Sequence, residues 1–412
     1  MPNFAAFRRT LSNRNFAMFT AGNLISVIGS WMQRVAVGWL TWELTGSAAW
    51  LGAVAFAEFM PTIIIAPIIG ALADRYDRRK IALVGQALAT AQAAALAILT
   101  VTGFVTPLWI LFLQLASGII QPATQTARLV LVPSLVPREN LGNAVAITSM
   151  TFNMARILGP AISGLMIATM GAGYSFAVNA ASYFFVIASL MAMTVPARAP
   201  SASSPASFWI SVWTDIAEGA RYVWTHKELR IAIGLIACCS VLTWPLSDLM
   251  AGIADKQLGH GVAGLATMTS AQGVGAICAG LFVAQRSNHE NALRIALICA
   301  IFNGMVLIAF GFNKSFLIAV PLVAGIGLLG VLTSISTQTV TQMVADDRMR
   351  ARTISTWYTV TRVGLASGAL IQGTVANVTG FTFPLVLAGG LTLAVGLYFH
   401  RLHKKPARRE GA

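Results

Sequence analysis

The stretch Gly70-Ala71-Leu72-Ala73-Asp74-Arg75-Tyr76-Asp77-Arg78-Arg79-Lys80 carries six charges in the seven positions from 74 to 80. On each side lie about twenty nearly charge-free residues, the length a helix needs to cross a bilayer. A short basic turn between two such helices belongs on the cytoplasmic face, where Lys and Arg accumulate.

The same pattern continues outward along the chain. Of the 412 residues, 56% are hydrophobic and only 10% charged, and mean hydropathy is +0.72, far from the composition of a soluble domain. Twelve apolar runs are read at 16–40, 49–72, 81–103, 106–127, 143–168, 174–195, 231–253, 264–284, 293–312, 316–338, 354–378 and 381–401. Each is much longer than the ~9–11 residues of a barrel strand, so the spans are helices. The fold class expected is an all-α membrane protein of twelve transmembrane helices. The first run is longer than the core of a signal peptide and lacks a cleavage site, so it is expected to remain as helix 1.

A net charge of +14 raises the question of nucleic acid. With the N-terminus inside, 22 of the 28 Lys and Arg residues fall on the cytoplasmic side. Only Lys256 and Lys314 fall outside, and Arg34, Arg128, Arg156 and Arg362 lie in or at the ends of spans. The split follows the positive-inside rule. The basic charge is topological, no nucleic-acid partner is implied, and both termini are expected in the cytoplasm at the plasma (inner) membrane.

Residues 1–195 form the first six-helix unit and 231–412 the second, joined by a cytoplasmic linker at 196–230. The linker opens with the Pro/Ser-rich Pro196–Pro205, which cannot span a membrane. Phe208–Lys227 has helical spacing of apolar residues and is expected along the inner membrane surface, with Trp209, Trp213, Tyr222 and Trp224 at the headgroups. The halves also match internally. Ser149–Gly159 aligns with Ser355–Leu365 at an offset of 206 residues, which brings Arg156 and Arg362 to equivalent points of helices 5 and 11.

The loop pattern G-x-L-a-D-R-x-x-R-R-K resembles the signature between helices 2 and 3 of the major facilitator superfamily. Gly29–Leu40, followed by Leu44-Thr45-Gly46-Ser47, resembles helix 1 of its enterobactin-exporter-like and macrolide-efflux branch, the transmembrane secretion effector type. Arg156-Ile157-Leu158-Gly159-Pro160-Ala161-Ile162-Ser163-Gly164 is similar to the helix 5 motif of the antiporters. Asp346–Arg352 looks like the acidic-then-basic lead into helix 11. The resemblance covers nearly the whole chain. It implies two pseudo-symmetric six-helix bundles with a site between them near the midplane. Two positions depart from the family pattern. Asp77 stands where the loop usually has Gly, and Gln114, four residues before Gly118, stands where antiporters usually bury an Arg. That arginine's proton-relay role therefore does not carry over.

The functional candidates are the intramembrane ionisable residues, since a charge at the bilayer centre costs roughly 2.5–3.5 kcal/mol even on the insertion scale. Glu58 lies about nine residues into helix 2, near the midplane at ~1.5 Å per residue. It is either a protonatable carboxylate or one fixed by an ion pair with an arginine such as Arg34. Arg34 and Asp248 share a similar depth in the outer third of helices 1 and 7, as a gate pair or proton-coupling group. Arg156 and Arg362 read as cavity or gating charges, and Arg128 as another or as a residue snorkelling to the headgroups. Gly159, Pro160 and Gly164 read as close-packing and kink positions. Gly70, Asp74, Arg75, Arg78 and Arg79 form the cytoplasmic loop, where Asp74 is expected to face the N-terminus of helix 11 and Arg75 and Arg78 to pair with acids such as Asp346 or Asp347, locking the inner side.

No cofactor or metal site is expected. Cys238, Cys239, Cys278 and Cys299 lie in helices without ligand spacing, and no P-loop is present to hydrolyse ATP. The five histidines sit in loops or at a helix end, against a membrane-embedded enzyme. The leading expectation is a monomeric, proton-coupled secondary exporter of small amphipathic molecules such as a siderophore, macrolide or other drug. A nutrient importer or facilitator of the same fold is the alternative.

Overall fold

A computed structural model describes residues 10–192, 217–284 and 291–404, with side chains described throughout except at 71, 73–75, 78, 126–134, 138, 284 and 404. The first half holds α1 (Arg14–Thr45), α2 (Ala48–Arg75), α3 (Arg78–Val101), α4 (Pro107–Leu135), α5 (Leu141–Met170) and α6 (Ala172–Ala192). The second holds α7 (Lys227–Leu242), α8 (Leu246–Gly252), α9 (Gly261–Ala284), α10 (Ala292–Phe312), α11 (Phe316–Val344), α12 (Arg350–Thr379) and α13 (Thr382–Lys404). α7, α8 and a π-helical turn at Ile253–Gln257 make up one span. The twelve expected runs are thus twelve helical rods, several reaching beyond the apolar stretch, as α1 does at both ends.

Nine of the described spans are both long and apolar enough to cross a membrane. The other three rods, α1, α5 and α12, are as long but more polar, and each carries one of the arginines Arg34, Arg156 and Arg362. Their polarity has a structural reason, since these rods face the interior between the halves.

The halves meet at one end. Ala55 and Phe59 of α2 pack on Ala366 and Ala369 of α12. One apolar cluster there joins both halves, from Val35, Trp42 and Leu51 to Met250, Leu265 and Phe381. At the end carrying the 76–77 turn, the clusters stay within a half: Phe16, Ala82 and Leu190 in one, Ile231, Leu297 and Val340 in the other. Four described hydrogen bonds link the halves, and none lies at that end. They are Arg34–Asp248 at 3.0 Å, Trp42–Asp255 at 2.8 Å, Ser47–Asn377 at 2.9 Å and Ser270 to the Ile157 carbonyl at 3.2 Å.

Lipid gives helices little hydrophobic reason to associate, so close approach through small residues matters. A Cβ on Gly373 would stand 2.5 Å from the Ala48 carbonyl oxygen and 3.0 Å from the Gly52 Cα, so α2 and α12 touch backbone to backbone. The helix 5 motif works in the same way. Gly159 admits α1, where a Cβ would stand 2.5 Å from that of Trp31, and Gly164 admits Ala266 of α9 from the other half. Pro160 has no N–H to offer the Arg156 carbonyl, and Gly273 of α9 packs against that free oxygen. Gly70, by contrast, faces open space.

The 76–77 turn explains the first departure from the family pattern. Asp77 has φ −60°, so no left-handed residue is required there, and its carboxylate accepts from the Arg79 amide at 2.9 Å as the N-cap of α3. The Arg79 guanidinium donates to the Met191 carbonyl at the end of α6 at 2.8 Å, tying the turn to its own half. The side chains of Asp74, Arg75, Arg78 and Arg128 lie outside the described set. Of the acids expected near the loop, Asp346 accepts from the Tyr222 hydroxyl of the linker at 2.9 Å and Asp347 pairs with Arg350 at 2.7 Å. The expected lock itself falls on side chains outside the described set.

The expected surface helix is docked on protein. Residues 217–225 are helical, with Val223 buried beside Leu229 and Trp357. Tyr222 holds Asp346 and Glu218 pairs with Arg352. Trp224 alone of that segment's aromatics is well exposed, while Trp209 and Trp213 fall outside the described residues.

Two substitutions test these assignments. Asp77→Ala should cost about 0.5–2 kcal/mol through the lost cap, and Asp77→Gly only a few tenths, read by thermal unfolding in detergent; equal losses would reject the cap. Gly373→Leu should wedge α2 from α12. In a cysteine-free background, a cysteine at buried Ala48 should then react with an impermeant maleimide at least several-fold faster, and an unchanged rate would rule out the contact as the closure.

Candidate functional site

Below the joined end lies a cavity of about 500 Å³ between the halves, within the usual size of a small-molecule site. Five of the six intramembrane charges singled out from the sequence line it: Arg34, Glu58 and Arg156 from the first half, Asp248 and Arg362 from the second. The sixth, Arg128, lies outside the described side chains. Its wall is otherwise mixed, with Trp31, Phe59 and Phe152 beside Gln121, Gln125 and Gln272.

Arg34 of α1 meets Asp248 of α8 at the closed end. One carboxylate oxygen takes the guanidinium at 3.0 Å, and the other is buried without a hydrogen-bond partner. The pair bridges the halves at the shared depth read from the sequence. Its position depends on a break in the seventh span. Pro245 cannot donate to the Val241 carbonyl, so α7 stops at Leu242 and α8 starts anew. Gln372 of α12 supplies the missing donors, reaching the Val241 and Leu242 carbonyls at 2.7 and 3.0 Å.

Among the described residues, no ion pair holds Glu58. Its carboxylate accepts from the Gln114 amide at 3.4 Å, while its charge acts on Arg34 and on Arg362 across the cavity. The backbone beneath it is clamped by α4. Gly118 leaves room for the Glu58 carbonyl, and Thr62 bridges to the Gly118 carbonyl at 3.1 Å. Pro61, three residues on, leaves the Ala57 carbonyl without its helical donor.

Behind Glu58 runs a chain of buried amides that the search for ionisable groups passed over. Asn179 donates to Gln33 at 2.7 Å, Gln33 to Gln92 at 3.1 Å, Gln92 to Gln114 at 3.5 Å and Gln114 to Glu58. Every donor points the same way, toward the carboxylate. The position where antiporters bury an arginine is therefore filled by the last member of a neutral chain. The available signal was four amide side chains inside apolar runs, where an unpaired polar group is costly.

Two aromatic rings tie the arginines together. Arg34 lies over Trp31 at 5.8 Å and over Phe59 at 5.2 Å; Arg156 shares the Trp31 ring at 5.7 Å, and Arg362 the Phe59 ring at 6.0 Å. Such stacking supports a desolvated cation by roughly 2 kcal/mol. Among the described residues, no cluster of His, Cys, Asp and Glu suits a metal ion.

A closed end, an intrafacial cavity and charges contributed by both halves make up the geometry of a carrier. Known proteins similar to the chain agree. The chain is 24% identical over 385 residues to the enterobactin exporter EntS of Citrobacter koseri, covering 90% of this chain and 88% of that one. It is 25% identical over 406 residues to the multidrug efflux pump Tap of Mycolicibacterium fortuitum, covering 94% and 95%. Among solved structures, the peptide transporter POT superposes with a TM-score of 0.73 at 15% identity, covering 95% of this chain and 94% of that one. The nucleoside transporter NupG superposes with a TM-score of 0.68 at 12% identity, covering 95% and 100%; at such identities the likeness concerns the fold alone. Residues 4–410 match the transmembrane secretion effector family, and the chain belongs to it, as a multi-pass membrane transporter of the major facilitator type.

Proposed function

We propose that the protein exports small amphipathic molecules across the plasma (inner) membrane in exchange for protons, as a monomer with both termini in the cytoplasm. The cargo class is that of a siderophore or drug, in keeping with relatives named as an enterobactin exporter and a multidrug efflux pump. The orientation rests on the basic turn at 74–80 and on the excess of Lys and Arg on that side. The cavity lies toward that side, so cargo enters from the cytoplasm.

The observation that carries the reading is the crossed arrangement of charge. Arg34 and Glu58 belong to one half, Asp248 and Arg362 to the other. Both oppositely charged combinations favour closure at the outer end. Arg34–Asp248 does so by contact, and Glu58–Arg362 through the field of a poorly hydrated cavity, where charges act over longer range than in water. An empty carrier is thereby held shut outside.

A proton on Glu58 abolishes its attraction for Arg362. A cargo that occupies the space between them weakens it as well. Either ligand releases the same closure, and the empty carrier does not turn over, which is the requirement for exchange. Glu58 is suited to this role because, of the two cavity carboxylates, it is the one with no ion pair among the described residues, its carboxylate accepting from a neutral amide.

Transport into inverted vesicles under an imposed proton gradient, with a siderophore and macrolide panel, tests the whole reading; absence of uphill accumulation for every compound would reject it. Glu58→Gln, fixed in the neutral form, should keep cargo exchange within a few-fold of wild type and lose uphill export. If it still concentrates cargo with the wild-type pH dependence, Glu58 is structural and Asp248 is the coupling candidate. Arg34→Asp or Asp248→Arg alone should reduce transport more than tenfold, since each leaves like charges facing one another. The double exchange should restore part of it, and no recovery would reject the gate.

A further inference from the structure

The charges in the cavity do not balance. Three arginines face two carboxylates. Arg34 has Asp248, and Arg362 has the field of Glu58. Arg156 has neither. Among the described residues, the charge acting on it is that of Arg34, which repels it, and its close partner is the Trp31 ring. A guanidinium offers five donors in a flat fork, and none of them meets an acceptor among the described residues. A cation in that state, on a helix in the middle of the bundle, is poised for an anionic partner that arrives from outside the chain.

The surroundings say what kind. Phe152 lies one helical turn before Arg156 on α5, so both project onto the same face. Trp31 from α1 meets Phe152 edge-on at 5.9 Å. Phe152 is half exposed to the cavity. Two rings set at an angle beside a cation form a corner that takes a flat apolar body with one anionic group. Gln125 lies exposed on the wall toward the open end, offering amide donors to polar substituents.

Resting on the export reading above, we propose that the site selects an organic anion with a planar apolar body, its anionic group on Arg156 and its body against Trp31 and Phe152. A cationic amphiphile meets a cavity already carrying a surplus positive charge and is disfavoured. An anion on Arg156 also draws on Arg34 across the shared Trp31 ring, which links occupancy of this corner to the Arg34–Asp248 closure.

The test uses two fluorescent probes of the same shape and different charge: 8-anilinonaphthalene-1-sulfonate, an anion, and uncharged N-phenyl-1-naphthylamine. Saturable binding is measured with the full chain in lipid nanodiscs, corrected against empty discs. Wild type should bind the sulfonate at least tenfold more tightly than the uncharged probe. Arg156→Gln should bring that ratio near one, and Arg156→Lys should keep part of it. A wild-type ratio near or below one overturns the proposal whether or not the variants fold. So does a ratio that survives in folded Arg156→Gln. Gradient-driven transport of the siderophore and macrolide panel by wild type reads the export function separately. Its failure would reject export while leaving the binding ratio to decide the anion site.

Discussion

The cost of keeping a charge away from water governs this structure more than any packing contact. Within the bundle a carboxylate or guanidinium is tolerated only where partners or ring faces support it. The chain resolves this by distributing the charges over both halves, so that they are best satisfied when the halves are together. Arg34 finds its acid on α8, and Arg362 lies in the field of Glu58 on α2. Closure at one end is therefore an electrostatic condition of the cavity as well as a matter of fit. The fit is supplied separately by backbone contacts such as Gly373 on Ala48 and Gly52.

The lining is also built to hold these charges in defined places. Arg34, Arg156 and Arg362 each set the guanidinium over a ring, and Glu58 sits at the receiving end of four amides crossing α6, α1, α3 and α4. Buried amide chains are stable only when every member is satisfied. These four amides thus form one hydrogen-bonded unit across the first half, and Glu58 is its surface. The second half has no counterpart among the described residues. There, Asn303 is fully buried with both amide atoms unpartnered.

Much of this was legible in the sequence, for a physical reason. Lipid imposes a length and an apolarity on every span, so the helices and the basic turn at 74–80 stand out against a small alphabet. For the same reason a lone charge inside a span is conspicuous, and Arg34, Glu58, Arg156, Asp248 and Arg362 do converge on one cavity. Depth along the helix was enough to match Arg34 with Asp248. Neutral polar groups were passed over, because Gln33, Gln92 and Asn179 carry no charge to single them out within their runs, although a buried amide needs partners as much as a charge does. Nor was the choice of partner for loop acids. Asp346 takes Tyr222, 124 positions away, and Asp347 takes Arg350 three positions on; the first depends on how the linker docks, which no local pattern encodes. Asp77 illustrates a substitution whose meaning lay in local chemistry: a cap replaces a glycine, and the turn needs no unusual backbone.

The break at Thr243–Pro245 has a mechanical consequence. Beyond it, α8 and the π-helical turn carry Asp248 and Asp255, and both are hydrogen-bonded to α1 of the opposite half, through Arg34 and Trp42. The segment is covalently part of the second half and polar-bonded to the first. Any movement that draws the two bundles apart at this end therefore strains the joint at Pro245 before it loads the rest of the span. Gln372, which caps the joint from α12, is the residue placed to bear that strain. The seventh span acts as a lever with its fulcrum in one bundle and its load in the other.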